Sequence, residues 1–114
     1  MNTTEWTKIG SMESIAKGKL VPIEVNGIKM LLVSGNNTRI VIPKSCPHME
    51  SSLEEGVFDG ITLTCTKHLW QWRIDEGGKP IGAAESPLLT YETKEIGGDL
   101  YVKALVELKY EYDD

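Results

Sequence analysis

The sequence predicts an all-β fold, either an antiparallel β-sandwich or a small barrel. Apolar residues alternate with polar ones in several short runs, which is the pattern of a half-buried strand. Gly- and Asn-rich turns separate these runs at close spacing, as is typical of antiparallel sandwiches and barrels. No segment sustains a helical period for more than about two turns.

The elements follow in order along the chain. The predicted strands occupy residues 20–25, 28–33, 39–42, 61–65, 88–96 and 100–105. Asn26-Gly27 joins the first two as a hairpin, because both residues of such a turn must accept positive φ. Gly97-Gly98-Asp99 joins the last two in the same way. A helical turn is expected only near Ser11, which would cap it before Gly18 ends it.

Composition predicts a single domain over residues 1–114 that acts in the cytoplasm. Hydrophobic residues make up 40% of the chain and charged residues 25%, as in ordinary globular proteins. The N-terminus lacks the features of a secretory signal, and no apolar run approaches a membrane span of about 20 residues. The net charge of −5 argues against nucleic acid as a partner.

Every cysteine and histidine of the chain falls in one window, between Cys46 and His68. The pattern is C-x-H, sixteen further residues, and then C-x-x-H. A loop over residues 44–56 is expected to carry Cys46 and His48. A second loop over residues 66–82 is expected to carry His68, and it starts from Cys65 at the end of the preceding strand. One strand separates the two loops, so each loop offers one thiol and one imidazole.

Three kinds of site could use this set. A disulfide would leave both histidines unexplained and is unusual in the cytoplasm. A structural zinc ion accepts two Cys and two His, but its ligands more often pair like with like. In a Rieske [2Fe–2S] cluster one iron takes both thiolates and the other takes both imidazoles. Because each loop would then supply one ligand to each iron, the pattern favours Cys46, His48, Cys65 and His68 as cluster ligands.

The sequence resembles Rieske ferredoxins, especially the ferredoxin components of bacterial four-component di-iron monooxygenases of the toluene and alkene type. The resemblance runs from Trp6 to about Val102 and is carried by four segments. These are Cys46-Pro47-His48, Leu53-Glu54-Glu55-Gly56, Cys65-Thr66-Lys67-His68-Leu69-Trp70 and Gly77-Gly78-Lys79-Pro80.

The resemblance implies a β-sandwich with a small cluster-binding subdomain at about residues 44–82. It also implies a monomeric electron carrier, not itself an enzyme, between an NADH-dependent flavoprotein reductase and a di-iron oxygenase hydroxylase in hydrocarbon catabolism. Three alternatives remain: the ferredoxin of an aromatic-ring dioxygenase, a small subunit of a nitrite reductase, and a zinc-stabilised interaction domain.

Around the ligands, the resemblance assigns supporting positions. These are Pro47, Gly56, Leu69, Trp70, Gly78 and Pro80. Gly56, Gly60, Gly77 and Gly78 are expected to bring backbone N–H groups close to the sulfides, and Pro80 to stiffen a covering loop. High-potential Rieske proteins carry serine and tyrosine where this chain has Trp70 and Trp72, so a low reduction potential is predicted.

Two features have both a structural and a docking interpretation. Trp70 and Trp72 could pack the cluster subdomain onto the sheet, or Trp70 could form part of a docking surface beside His68. The C-terminal tail, residues 106–114, could be an edge strand or packed extension, or an acidic docking element.

Overall fold

The computed structural model describes residues 5–15, 17–36, 38–45, 52–66, 69–82, 84, 86–108 and 110. Its strands are β1 (Thr7–Ser11), β2 (Lys19–Val25), β3 (Ile28–Ser34), β4 (Arg39–Pro43), β5 (Val57–Phe58), β6 (Thr62–Thr64), β7 (Gln71–Arg73), β8 (Lys79–Ile81), β9 (Glu92–Ile96) and β10 (Asp99–Lys103). Short 3₁₀ turns cover Leu53–Glu55 and Ile74–Glu76. Within these residues no helix is long and apolar enough to cross a membrane.

The strands form three antiparallel sheets, which confirms the all-β prediction. Their orders are β1-β10-β9, β2-β3-β4 and β5-β6-β7-β8. The third sheet is the subdomain sheet, because it lies almost entirely in the window predicted to bind a cluster. An isolated bridge between Val41 and Tyr91 connects the first two sheets.

The central sheet β2-β3-β4 is buried on both faces. Successive side chains of a strand point to opposite faces, and in β3 Met30 and Leu32 enter one core while Leu31 and Val33 enter another. The first core also contains Leu100 and Val102 of the β1-β10-β9 sheet and the second contains residues of the subdomain sheet. The central sheet is therefore a layer shared by both cores, which explains why β3 is apolar at consecutive positions.

The predicted hairpins are confirmed. Asn26 and Gly27 have φ of 55° and 78°, and they join β2 to β3 in the expected register, with Val25 opposite Ile28. Near the N-terminus the Ser14 amide donates to the Ser11 hydroxyl at 3.2 Å, so Ser11 caps a single helical turn as predicted.

The prediction of a loop over residues 66–82 was wrong. Residues 66–82 contain β7, β8 and a 3₁₀ turn, and Pro80 lies in β8 opposite Trp72. Among the described residues β8 is an edge strand that pairs with β7 alone, and an edge strand accommodates the missing amide of proline. The strand predicted at 88–96 begins only at Glu92, since the preceding residues cross between sheets.

Candidate metal centre

Cys65 lies at the end of β6, where a tight turn leads into β7. Its backbone amide donates to the carbonyl of Trp70, and the Leu69 amide donates back to the carbonyl of Cys65, both at 2.8 Å. Leu69 takes the left-handed conformation, with φ of 61°, which closes this turn. The cysteine is a free thiol with 3% of its surface exposed. The turn thus fixes the backbone of Cys65, one of the two predicted sulfur ligands.

The first predicted ligand loop begins and ends at neighbouring positions. Ser45 and Ser52 form an antiparallel bridge, and the Leu53 amide donates to the Lys44 carbonyl at 2.6 Å. The hydroxyl of Ser52 accepts a hydrogen bond of 3.2 Å from the Glu54 amide and caps the 3₁₀ turn. These contacts hold the two ends of the first predicted loop side by side, at Lys44-Ser45 and Ser52-Leu53.

Three of the four predicted ligands lie outside the described residues. These are Cys46, His48 and His68, and the neighbouring Pro47 lies outside as well. The fourth ligand, Cys65, belongs to the same buried cluster as Leu53, which ends the base of the first loop. The fold therefore brings the roots of both predicted ligand loops to a single core.

Gly56 and Gly78 are required for packing next to these roots. A Cβ on Gly56 would lie 2.6 Å from the carbonyl oxygen of Thr64. A Cβ on Gly78, whose φ is +89°, would lie 2.8 Å from that of Leu88. Close approach of the chain to itself accounts for both glycines, and their approach to sulfide stays a prediction.

Trp72 packs the subdomain onto the sheet, which is one of the two interpretations that the sequence offered. It is fully buried in the core that contains Cys65, and its Nε1 donates to the Ser86 carbonyl at 2.8 Å. Trp70 is partly buried against the same core, with its ring edge-on to Trp72 at a centroid distance of 6.3 Å. Trp72 therefore packs the subdomain sheet onto the central sheet, and Trp70 lies at the end of the turn that follows Cys65.

The sequence interpretation missed the segment at residues 86–91, which ties the subdomain to the other sheets. The Leu88 amide donates to the Gly78 carbonyl at 3.1 Å, and the Tyr91 amide to the Val41 carbonyl at 2.8 Å. Pro87 followed by two leucines was the available signal for a break in the strand and a buried anchor.

Two tyrosines attach the C-terminal tail to this segment. The Tyr110 hydroxyl accepts a hydrogen bond from the Leu89 amide, and the Tyr91 hydroxyl accepts one from the Leu108 amide, both at 2.9 Å. The described part of the tail is thus a packed extension.

The residues present fit a binuclear iron–sulfur centre. Cys65 is a reduced, buried thiol at a fixed turn, which is the chemistry of a thiolate ligand. The chain has one further cysteine and two histidines, the set that mixed sulfur and nitrogen ligation requires. When bound, such a centre supplies reversible one-electron transfer.

Comparison with known proteins identifies the family. The model of the Rieske [2Fe–2S] domain matches residues 5–92. The methanesulfonate monooxygenase ferredoxin subunit of Methylosulfonomonas methylovora is 36% identical over 110 residues, which is 96% of this chain and 89% of that protein. The ferredoxin component of the alkene monooxygenase system of Xanthobacter autotrophicus is 29% identical over 86% of this chain and 80% of its own length.

Solved structures show the same fold. A chain from a complex of reduced oxygenase and oxidized ferredoxin in carbazole 1,9a-dioxygenase aligns with a TM-score of 0.74 at 22% identity, over 96% of this chain and 100% of that one. The ferredoxin of carbazole 1,9a-dioxygenase from Nocardioides aromaticivorans aligns with a TM-score of 0.71 at 20% identity, over 85% and 95%.

The chain belongs to the Rieske [2Fe–2S] domain family. It carries one Rieske-type cluster, as its sequence predicted. Two relatives that match over most of both chains are named a ferredoxin subunit and a ferredoxin component. The chain is accordingly an electron-transfer component and not itself an enzyme.

Proposed function

We propose that this protein carries single electrons from an NADH-dependent flavoprotein reductase to the di-iron hydroxylase of a monooxygenase. Cys46 and Cys65 hold one iron of its cluster, and His48 and His68 hold the other. The observation that carries the ligand assignment is the shared core beneath both ligand loops, which contains Cys65 and Leu53. The cluster-binding part is about residues 44–82 of a single domain that acts as a monomer.

The monooxygenase class rests on the relatives. Two ferredoxins that match most of the chain are named for monooxygenase systems. The solved structures come instead from a dioxygenase, and at 20–22% identity their likeness supports the fold alone. The aromatic-ring dioxygenase ferredoxin, which the sequence resemblance left open, stays the second candidate.

We propose that a partner protein docks at the turn between Cys65 and Trp70, where the side chain of Leu69 is exposed. Its side chain is 69% exposed, so it adds little to the core. Its positive φ is a conformation that costs most L-residues about 1–2 kcal/mol. A leucine that is both strained and solvated next to His68 is explained by a role for its side chain in contacting a partner. The docking is weak and transient, because a shuttle must release one partner before meeting the next.

Reconstitution separates the two candidate functions. The purified protein is mixed with a flavoprotein reductase, NADH and either a di-iron hydroxylase or a Rieske-type dioxygenase, and substrate oxidation is measured. Turnover with the di-iron hydroxylase and not with the dioxygenase supports the proposal, and the reverse result overturns it. Cys65→Ser is the matched control, which is expected to lose the cluster and support neither reaction.

A further inference from the structure

The base of the first ligand loop carries a side-chain ion pair. Lys44 Nζ lies 3.0 Å from Glu54 Oε1, and the two side chains are 32% and 40% exposed. Lys44 directly precedes the Ser45–Ser52 bridge, and Glu54 lies in the 3₁₀ turn that follows it. Among the described residues, this is the ion pair that joins the two ends of a ligand loop.

The loop has to be held by non-covalent contacts. Both cysteines of the chain are assigned to iron, so a disulfide cannot close the loop. Backbone contacts close the base on one side, through the Leu53 amide and the Lys44 carbonyl. Leu53 is fully buried, which fixes the returning end of the chain to the core. The departing end continues from the buried end of β4, and the Lys44 side chain ties it to the returning end through Glu54.

We propose that Lys44 and Glu54 are positioning residues that clamp the first ligand loop and so slow loss of the cluster. Cys46 is separated from Lys44 by one residue, so opening of the base moves this ligand directly. The effect is local: an exposed ion pair contributes little to global stability, whereas opening of a single loop can be much less costly than unfolding. This inference rests on the assignment of Cys46 and His48 as ligands.

Two single variants separate a clamp from a direct charge effect on the cluster. Lys44→Met removes a positive charge and Glu54→Gln removes a negative one, so a direct effect of charge would act in opposite directions. Loss of the clamp acts in the same direction in both variants. The measured quantity is the rate at which visible absorption of the oxidised holoprotein bleaches under an iron chelator.

We expect both variants to lose the cluster about two- to fivefold faster than the parent, the range that an exposed ion pair supports. Lys44→Arg keeps the positive charge and is expected to keep the parental rate. The reversed pair Lys44→Glu/Glu54→Lys is expected to restore that rate. Lys8→Met is the matched control, because Lys8 pairs with Asp99 at 3.4 Å in the β1-β10-β9 sheet. It is expected to leave the rate unchanged.

Equal acceleration in Lys8→Met, opposite effects of the two clamp variants, or failure of the reversed pair would overturn the proposal. Hydrogen–deuterium exchange by mass spectrometry, on the peptide that contains Leu53, tests the clamp independently of what the loop binds. Exchange should be faster in both clamp variants of the holoprotein. If exchange is faster but Cys46→Ser retains the full cluster, the ligand assignment fails while the clamp stands.

Discussion

The indole Nε1 of Trp72 donates a hydrogen bond of 2.8 Å to the carbonyl oxygen of Ser86. An indole has a single N–H donor, so this bond uses the only one that Trp72 has. The position at which high-potential Rieske proteins carry a tyrosine hydroxyl therefore has no side-chain donor left for a cluster sulfur. The bond instead joins the subdomain sheet to the segment that connects it with β9.

Replacing Trp72 by Phe should destabilise the protein. The reduction potential of the cluster should stay nearly unchanged. The variant leaves the Ser86 carbonyl without its partner and a gap in a filled core, together about 1–3 kcal/mol. Urea unfolding measures the loss, and voltammetry measures the potential. Trp6→Phe is the control, since Trp6 lies half-buried near Lys94 in another part of the chain. A large fall in the potential of Trp72→Phe would show that its indole does tune the cluster.

The reduction potential should lie near the bottom of the Rieske range of roughly −150 to +300 mV. The Trp72 side chain offers no free donor, and hydrogen bonds to the sulfurs are one of the factors that raise the potential within this range. His48→Cys or His68→Cys should lower it further if a cluster assembles, because an anionic thiolate replaces a neutral imidazole. Voltammetry of the three proteins checks the order, and an unchanged or higher value in either variant contradicts the charge argument.

Leu69→Asn should stabilise the protein and weaken docking. Asparagine tolerates the left-handed conformation better than leucine, so the gain in unfolding free energy should be about 0.5–1 kcal/mol. Loss of an apolar contact at an interface should raise the apparent KM of the oxygenase for the ferredoxin about three- to tenfold. Ile96→Asn is the matched control, because Ile96 is 53% exposed at the end of β9. If Leu69→Asn leaves this KM unchanged, Leu69 is not part of the docking surface.

Stability should decrease above about pH 10, partly through Tyr91. Burial raises the pKa of this phenol above its usual value of 10.0 in the folded state. The unfolded chain therefore loses the proton first, so the contribution is complete below pH 10 and is lost as the pH rises through the folded pKa. Urea titrations between pH 8 and pH 11 should show a smaller decline in Tyr91→Phe than in the parent. That variant should also be less stable at neutral pH by about 1 kcal/mol, because the Leu108 amide loses its acceptor.

The sequence predicted the parts of the fold that depend on local rules. The Asn26-Gly27 turn follows from the need for positive φ, and the alternating strands follow from burial of one face. The prediction failed between Trp70 and Gly82, where β7 and β8 have three residues each and no run long enough to show a period. It also failed at residues 86–91, because their partners, such as Gly78 and Val41, are distant in sequence.

The sequence predicts which residues form the candidate site, but it does not predict the contacts that hold the ends of the loops in place. A spacing of cysteines and histidines indicates ligand chemistry, and nothing in it indicates how the loop ends are held. The Lys44–Glu54 pair and the Leu53 anchor appear only once the chain is folded, because the contacts of these residues are set by the Ser45–Ser52 bridge and by the buried core. The glycine at position 56 was predicted from resemblance, and its close approach to Thr64 supplies the physical reason.

The double burial of β3 limits how this redox module could be moved between proteins. Leu31, Val33 and Ile42 form the floor beneath the subdomain sheet, and they are fully inaccessible in the folded chain. A graft of residues 44–82 onto a foreign scaffold would leave that floor behind and expose the underside of Trp72 to water. Transplanting the module in protein engineering therefore requires the β2-β3-β4 layer to travel with it.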